Sequence, residues 1–551
     1  MGAADGAADL LVVGAPVYTA DPARRWADAV AVSDGRVAAV GAERDLAALR
    51  GPATRVLRLR GGLVLPGFHD AHVHPAMGGL ELLQCSLHGV EPAGYLAAVA
   101  RYAADHPDAP WVVGGGWVMD AFPGGVPHRA ELDPVVGDRP VFLTNADGHG
   151  AWVNSRALAM AGITAATPDP PRGRIERDAA GEPSGVLHEG AMDLVGDLLP
   201  DPGPAEREAG IELGQAHLHR LGVTAWQDAS VDRATLAAYR ALAERGALTA
   251  RVVAAVKWEV EAGDAQLAEL PELRRAHSVG RLRPSAVKHF HDGVFENFTA
   301  AMLDPYLDGD GEPTGNRGIG MLPPDELARV VTALDEAGFD VHVHAIGDRA
   351  VREALDAFEA AARANGRRDS RHQIAHLQFV HPDDRARFRR LGVVANAQPF
   401  WACLDGYMRE LTLPFLEPER AAWQYPWASL RRAGAVLAFG SDWTVSTANP
   451  LLEVEVAVNR VAPDDRGGEP FLPQERLDLP AALDAFTIGS AYALRLEAET
   501  GSIRPGKLAD LAVLDRDPFD PATGPIGDAR VLATLVGGEP VHADPSLDLT
   551  G

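Results

Sequence analysis

Of the 51 basic residues in this chain only three are lysines, Lys257, Lys288 and Lys507. Arginine serves wherever a fixed positive charge suffices, so a retained lysine asks what a guanidinium could not do. Lysine can lose its proton when buried and then act as a nucleophile or be modified, whereas arginine stays charged. Lys288 lies in Pro284-Ser-Ala-Val-Lys-His-Phe-His-Asp-Gly293, a β-like run that ends in an Asp-Gly turn. Two readings are open: a lone buried lysine with its stem in the core, or a lysine carboxylated by CO2 whose carbamate bridges two metal ions. The histidines decide between them. His72 and His74, in GLVLPGFHDAHVHP, are two residues apart. On a strand that spacing aims both rings to one side, where one metal can take both. FDVHVHAIGD repeats the spacing at His342 and His344, RHQIAHLQFV adds His376, and FGSDWTV places Asp442 just after a β-like run. Each alone reads equally well as a core histidine or a capping aspartate. All of them at the C-terminal ends of different expected strands point to a metal site.

Those strands imply an architecture. From about residue 205, apolar β-like runs (LGVTAWQDA, ARVVAAVKWEV, PSAVKHFHDG, FDVHVHAIGD, HQIAHLQFV, GVVANAQP, AVLAFGSDW) alternate with helical stretches such as PDELARVVTALDEAG. That rhythm means parallel βα units, and their number favours an α/β fold of the (β/α)8 TIM-barrel type, with its site at the C-terminal ends of the strands. Residues 9–65 read instead as short strands and hairpins, and the last fifty residues echo them, so both chain ends are expected in one composite β-domain. The expected division is 1–66 and 496–551 for that domain and 67–495 for the barrel. Residues 76–205, rich in Gly, Pro and Trp with loop-like pieces, break the rhythm and read as a subdomain inserted after the first barrel strand, covering the mouth.

His-X-His, then Lys, His, His and Asp, in that order, resembles the metal-dependent amidohydrolase superfamily. PGFHDAHVHP, DGHGAWVNSRAL, PSGVLHEGAM, VKHFHDG, HVHAIGDRA, HLQFVHP, FGSDWTV and GSIRPGKLADLAVLD narrow the resemblance to the amidohydrolase 3 family, the YtcJ-like branch that includes N-substituted formamide deformylase. It covers nearly the whole chain. The resemblance implies a barrel with a composite β-sandwich from both termini. It also implies two divalent ions, zinc first with manganese or iron as alternatives. His72 and His74 would hold the more buried ion and His344 and His376 the more exposed one. Carboxylated Lys288, made with CO2, would bridge them, and Asp442 would ligate the buried ion and act as general base and acid. Such a pair of cations brings the pKa of a water toward about 7 and stabilises charge on attacking and leaving groups. Ala375 departs from the pattern, standing where the family often has Glu, which bears on specificity more than on catalysis. His289 and His291 fall on the opposite face of their strand from Lys288, and His342, one layer below His344, reads as packing.

Substrate contacts are expected from Trp117, Asp147, His149, Trp152, Glu189, Trp401 and Trp443, with the Asp147-Gly-His149 stretch the best placed to read an amide. An aromatic mouth with few basic groups suits an uncharged or cationic, partly apolar small molecule. The net charge of −26 (51 positive, 77 negative) disfavours nucleic acid and anionic membranes as partners. A second copy of the chain, as a homodimer, is the one protein partner expected. Cys85 and Cys403 lack metal-type spacing, and the first residues carry neither a basic segment nor an apolar run, which together read as a cytoplasmic protein. The expected activity is hydrolysis of a non-peptide C–N bond in an N-substituted amide or formamide, a urea or a cyclic amide. A metal-dependent lyase such as a decarboxylase is the alternative, and a barrel that only binds is the third reading.

Overall fold

The computed structural model describes residues 6–547. Its centre is a ring of parallel strands in chain order: β1 (Phe68–Val73), β2 (Val223–Val231), β3 (Arg251–Lys257), β4 (Leu282–Phe290), β5 (Asp340–Ala345), β6 (Gln373–His376), β7 (Val394–Ala397) and β8 (Val436–Phe439). Helices pack outside. In Pro324–Glu336 the buried Leu327, Val330, Val331 and Leu334 recur at the three- and four-residue spacing of one helical face. In β5 the alternation is sharp: Val341 and Val343 join the core shared with the helices, while His342 and His344 take the other face. The (β/α)8 barrel read from the sequence is the fold observed.

The seam between β8 and β1 is joined just past the strand ends. The Asp442 N–H donates to the His72 carbonyl at 2.7 Å, the Ser441 N–H to the Asp70 carboxylate at 3.0 Å, and the His74 N–H to the Trp443 carbonyl at 2.9 Å. This close approach requires Gly440, where a Cβ would stand 2.3 Å from the His72 nitrogen. Closing the barrel therefore also brings Asp442 beside His72.

The barrel is filled rather than hollow. Ala71, Ala225, Val253, Ala255, Ala286, Val394 and Ala438 cluster with Ala491, Ala493 and Leu494. Two residues further along their strands stand Gln227, Lys288 and Asn396, all fully buried.

Both chain ends meet in one eight-stranded sheet, in which Leu511–Leu514 pairs antiparallel with Leu63–Pro66 beside Leu10–Tyr18. Val12, Val30, Val64, Leu511, Val513 and Leu535 share its core. Between β1 and β2 the chain builds a further six-stranded sheet from Cys85–Ser86, Val112–Trp117, Val141–Asn145, Gly150–Val153, Gly173–Arg177 and Pro183–Glu189. The loop-like reading of this stretch gives way to regular structure. Glycine in VVGGGW marks close strands: a Cβ on Gly114 would lie 2.0 Å from the Cys85 carbonyl oxygen. Among the described residues, no helix is long and apolar enough to cross a membrane.

Candidate metal centre and its cavity

His72, His74, Lys288, His344, His376 and Asp442 line one cavity of about 1100 Å³ at the C-terminal ends of the barrel strands. His72 Nε2 and His74 Nε2 stand 3.4 Å and 3.1 Å from Asp442 Oδ1, and His376 Nδ1 stands 3.8 Å from Asp442 Oδ2. One candidate ligand atom from each of His72, His74 and Asp442 lies within 4.8 Å of the others. The rings of His344 and His376 are 4.4 Å apart, and those of His72 and His376 4.8 Å. Lys288 is fully buried, with its Nζ 4.5 Å from the centre of the Phe290 ring and without a hydrogen-bond partner.

Electrostatics agree with this geometry. Burial pushes the Lys288 amine down to about 7 against the pull of the Asp442 charge, so a large neutral fraction exists at neutral pH. Burial, reinforced by the positive charge of neighbouring groups, holds His72, His344 and His376 well below the usual imidazole value. Neutral imidazoles are the form that ligates. Asp442 Oδ1 and His376 Nδ1 are also buried without hydrogen-bond partners. An imidazole nitrogen and a carboxylate oxygen left unpaired beside further histidines suit a divalent cation.

The backbone is strained where it delivers these groups. His376 has φ 76° and Asp442 φ 52°. A non-glycine residue held there costs on the order of 1–3 kcal/mol and persists only where its surroundings impose it. The Asp442 hydrogen bond to β1 is one such constraint. At His376 the constraint is Gln398, whose Oε1 accepts the His376 N–H at 2.9 Å. Asp292 instead fixes the β5 end: it accepts from the Ile346, Gly347 and Ala301 N–H groups at 3.0, 2.8 and 2.9 Å and lies 3.5 Å from His344 Nε2. The sequence shows Asp292 only as half of an Asp-Gly turn, and its part in fixing His344 becomes visible once β4 and β5 are paired.

The opposite wall comes from the inserted sheet. Asp147 and His149 sit in the turn between Val141–Asn145 and Gly150–Val153, and Glu189 ends its strand. His149 Nδ1 lies 2.9 Å from Glu189 Oε2, and the Thr299 hydroxyl donates to Glu189 Oε1 at 2.8 Å. Burial alone would lower His149, but the Glu189 carboxylate and then Asp147 outweigh it and raise the ring to about 9. His149 is therefore a cation at neutral pH, with its ring 5.3 Å from that of His344.

The tryptophans divide. Trp401 lines the cavity and stacks on His376 at 5.4 Å. Trp117, Trp152 and Trp443 lie outside the lining, contrary to the expectation of substrate contact. Trp117 and Trp152 are wholly buried in the insertion's core, where Trp117 Nε1 donates to the Leu143 carbonyl at 2.8 Å. Trp443 stacks on His217 at 4.6 Å, behind the metal-facing residues. Glu296, Asp405 and Tyr407, which the sequence did not single out, also line the cavity. His291 gives Nε2 to the Glu353 carboxylate at 2.8 Å, and neither it nor His289 lines the cavity. His342 does more than pack, because its Nε2 lies 2.8 Å from His72 Nδ1.

The profile described as amidohydrolase family matches residues 55–542. Protein LONG AFTER FAR-RED 3 of Arabidopsis thaliana is 32% identical over 553 residues, which is 97% of this chain and 92% of that protein. N-substituted formamide deformylase of Arthrobacter pascens is 30% identical over 96% of this chain and 97% of its own. An uncharacterized metal-dependent hydrolase from Pyrococcus furiosus, known as a crystal structure, superposes with a TM-score of 0.71 at 28% identity, covering 93% of this chain and all 100% of that one. With the profile running over nearly its whole length, this chain belongs to the amidohydrolase family.

Proposed function

We propose that the protein is a binuclear metal-dependent hydrolase that cleaves a non-peptide C–N bond in an N-substituted amide or formamide, a urea or a cyclic amide. The observation that carries this is the convergence of His72, His74, Lys288, His344, His376 and Asp442 on one cavity. His72, His74 and Asp442 would hold one cation, and His344 and His376 the other. Lys288 as its carbamate would bridge them, and the buried, unpartnered Nζ with a pKa near 7 supports that modification. Bound there, such cations, zinc by ligand type, supply Lewis acidity that polarises a carbonyl and makes water acidic near neutral pH.

The chain's own groups account for the remaining tasks. Asp442, beside His72 and His74, is placed to take a proton from water and return it to the leaving nitrogen. Cationic His149 offers a charge-assisted donor for the carbonyl oxygen, held in place by Glu189. Phe400, Trp401 and Tyr407 provide apolar wall, while Asp120, Glu296 and Asp405 add carboxyl groups that burial shifts upward, Asp405 to about 6. Of the basic groups at the rim, Arg172 is paired with Glu261 and Lys257 with Glu259. An uncharged or cationic small molecule suits such a lining. The test is a panel of N-formyl and N-acyl amines, ureas and cyclic amides scored for amine release, alongside aromatic acids scored for CO2. Release of CO2 without hydrolysis of any amide would replace this reading with the lyase.

A further inference from the structure

We infer that Tyr425 and Glu296 form a subsite of the cavity that binds an ammonium group on the substrate, away from the scissile bond. The inference rests on the hydrolase reading above and narrows its substrates to amides that also carry a protonated amine. The first sign is in the backbone. Tyr425 holds φ 43°, a region that a bulky side chain enters only where its surroundings impose it. Its N–H donates to the Gln378 carbonyl at 2.9 Å, and its carbonyl accepts from the Trp427 N–H at 2.9 Å and from Arg460 Nη1 at 3.1 Å. Arg460 is itself fully buried, at φ 59°, and its Nε donates to the Phe471 carbonyl at 2.9 Å. A buried guanidinium is costly, and both of these bonds go to main-chain carbonyls that shape the loop carrying Tyr425.

What this framework delivers is a phenol. Tyr425 is 4% exposed and lines the cavity, yet no group among the described residues hydrogen-bonds its hydroxyl. Burial, and then the Glu296 charge, push that phenol well above its usual range, so it keeps its proton and can both give and take a hydrogen bond. Gln378 ties the two residues together. Its carbonyl holds Tyr425, and its Nε2 lies 3.5 Å from Glu296 Oε1, which also accepts from the Thr412 hydroxyl at 2.7 Å. Glu296 Oε2 takes neither bond, and Glu296 lines the cavity. Gln378 follows His376 by two residues, so the subsite adjoins the metal-facing end of β6.

Charge decides what the pair reads. Asp120, Asp147 and Asp405 line the same cavity, and the Asp147 charge adds to burial in pushing the Glu296 carboxyl up. A bound cation relieves that repulsion, whereas a hydroxyl leaves it and a carboxylate worsens it. The cations nearby are already met: Arg172 by Glu261, Lys257 by Glu259, His149 by Glu189, and the Arg460 charge beneath Tyr425 first by Glu475. None of them bonds Glu296. An ammonium has three donors, enough for Glu296 Oε2 and the Tyr425 oxygen together.

The experiment uses two series of amides, N-formyl amines and N-methyl carboxamides, whose alkyl chains of graded length end in NH3+, OH or CH3. Where the holoenzyme turns them over, KM and kcat are compared; where it does not, a calorimetric Kd replaces KM. We expect the ammonium compound of best-fitting length to bind about 10–100-fold better than its methyl counterpart, as for a hydrogen bond to a charged group, with the gain in KM rather than kcat. Glu296→Gln, isosteric and uncharged, should bring that ratio within about threefold of one, and Tyr425→Phe should lower it by about 3–10-fold. Each ratio compares substrates on one protein, so a partly unfolded variant still reports it. A wild-type ratio near one in both series, or a ratio that either substitution leaves unmoved, would overturn the inference. An ammonium preference in Kd without turnover of any amide would remove the hydrolase reading and leave the subsite standing.

Discussion

Lys288 and His344 stand on adjacent, ladder-paired strands of the barrel, whereas Asp147, His149 and Glu189 reach the same cavity from a turn and a strand end of the inserted sheet. Apart from His74 the barrel groups are buried, and their neighbours' backbones bond across strands. On the inserted wall, Asp147 and His149 are less deeply buried and flank an exposed glycine; His149 is held by its ion pair with Glu189, and the Asp147 carboxylate accepts the His149 N–H. A metal site tolerates little displacement of its ligands, so its groups belong on the stiffest elements. A wall that reads the substrate can vary without disturbing the chemistry, and loops on a rigid scaffold are where such variation is tolerated. The contrast predicts that damage to one wall removes the reaction while damage to the other redistributes it among substrates.

The largest effect should come from Lys288→Arg. Charge and length nearly persist, yet a guanidinium cannot become a bridging anion. Loss of metal-derived stabilisation worth several kcal/mol corresponds to a fall of about 1000-fold or more in kcat/KM. Metal analysis should show less than the wild-type content. Lys288→Ala should be equally poor but partly rescued by a small carboxylic acid that occupies the vacated bridge. Full activity and metal in Lys288→Arg would make this lysine structural and remove the distinction between the walls.

On the other wall, His149→Ala should lower kcat/KM by about 10–100-fold for substrates whose carbonyl it reaches, as when one preorganised donor is lost, and by less for others. Metal content should not change. An equal loss on every substrate, or loss of metal, would move His149 into the barrel's catalytic set. Trp117→Ala sharpens the comparison from behind the inserted wall. It should cost about 3–5 kcal/mol of stability, the usual range for a large aromatic removed from a core. The ranking of substrates should hold, since Trp117 does not reach the cavity. A changed ranking with unchanged Tm would return Trp117 to the substrate contacts.

The same division explains what could be read from the sequence. His72, His74 and His344 were legible because strand geometry turns a spacing of two into a shared direction, Lys288 because arginine takes nearly every other basic position, and Asp442 because it follows a β-like run. Glu189 and His149 were legible only as polar residues in a polar stretch. Whether a tryptophan packs or faces a ligand depends on which neighbours tertiary structure brings, so Trp401 could not be told from Trp117. The inserted sheet was hidden by the glycines that let its strands approach. The partnership of His342 with His72 joins β5 to β1 across the barrel, and no local pattern reports it.

The smallest effect concerns the ion pair that holds the inserted wall. His149 is raised from 6.5 to about 9, so its contribution to stability is fully present below about pH 6.5 and lost as pH rises through about 9. Glu189 is shifted the other way: burial raises it, but the His149 charge outweighs that and lowers it below 4.5, so its contribution is lost only as pH falls below that value. The pair should therefore stabilise most between about pH 4.5 and 6.5 and fade on the alkaline side. Melting curves of wild type and Glu189→Gln at a series of pH values isolate this, because other titrating groups cancel in the difference. We expect a difference of a few degrees at pH 6 that shrinks toward zero by about pH 10, with no change in metal content. A difference that stays constant to pH 10 would mean that His149 does not hold its proton through this pair. The inserted wall would then owe its position to packing, as the barrel wall does to its strands.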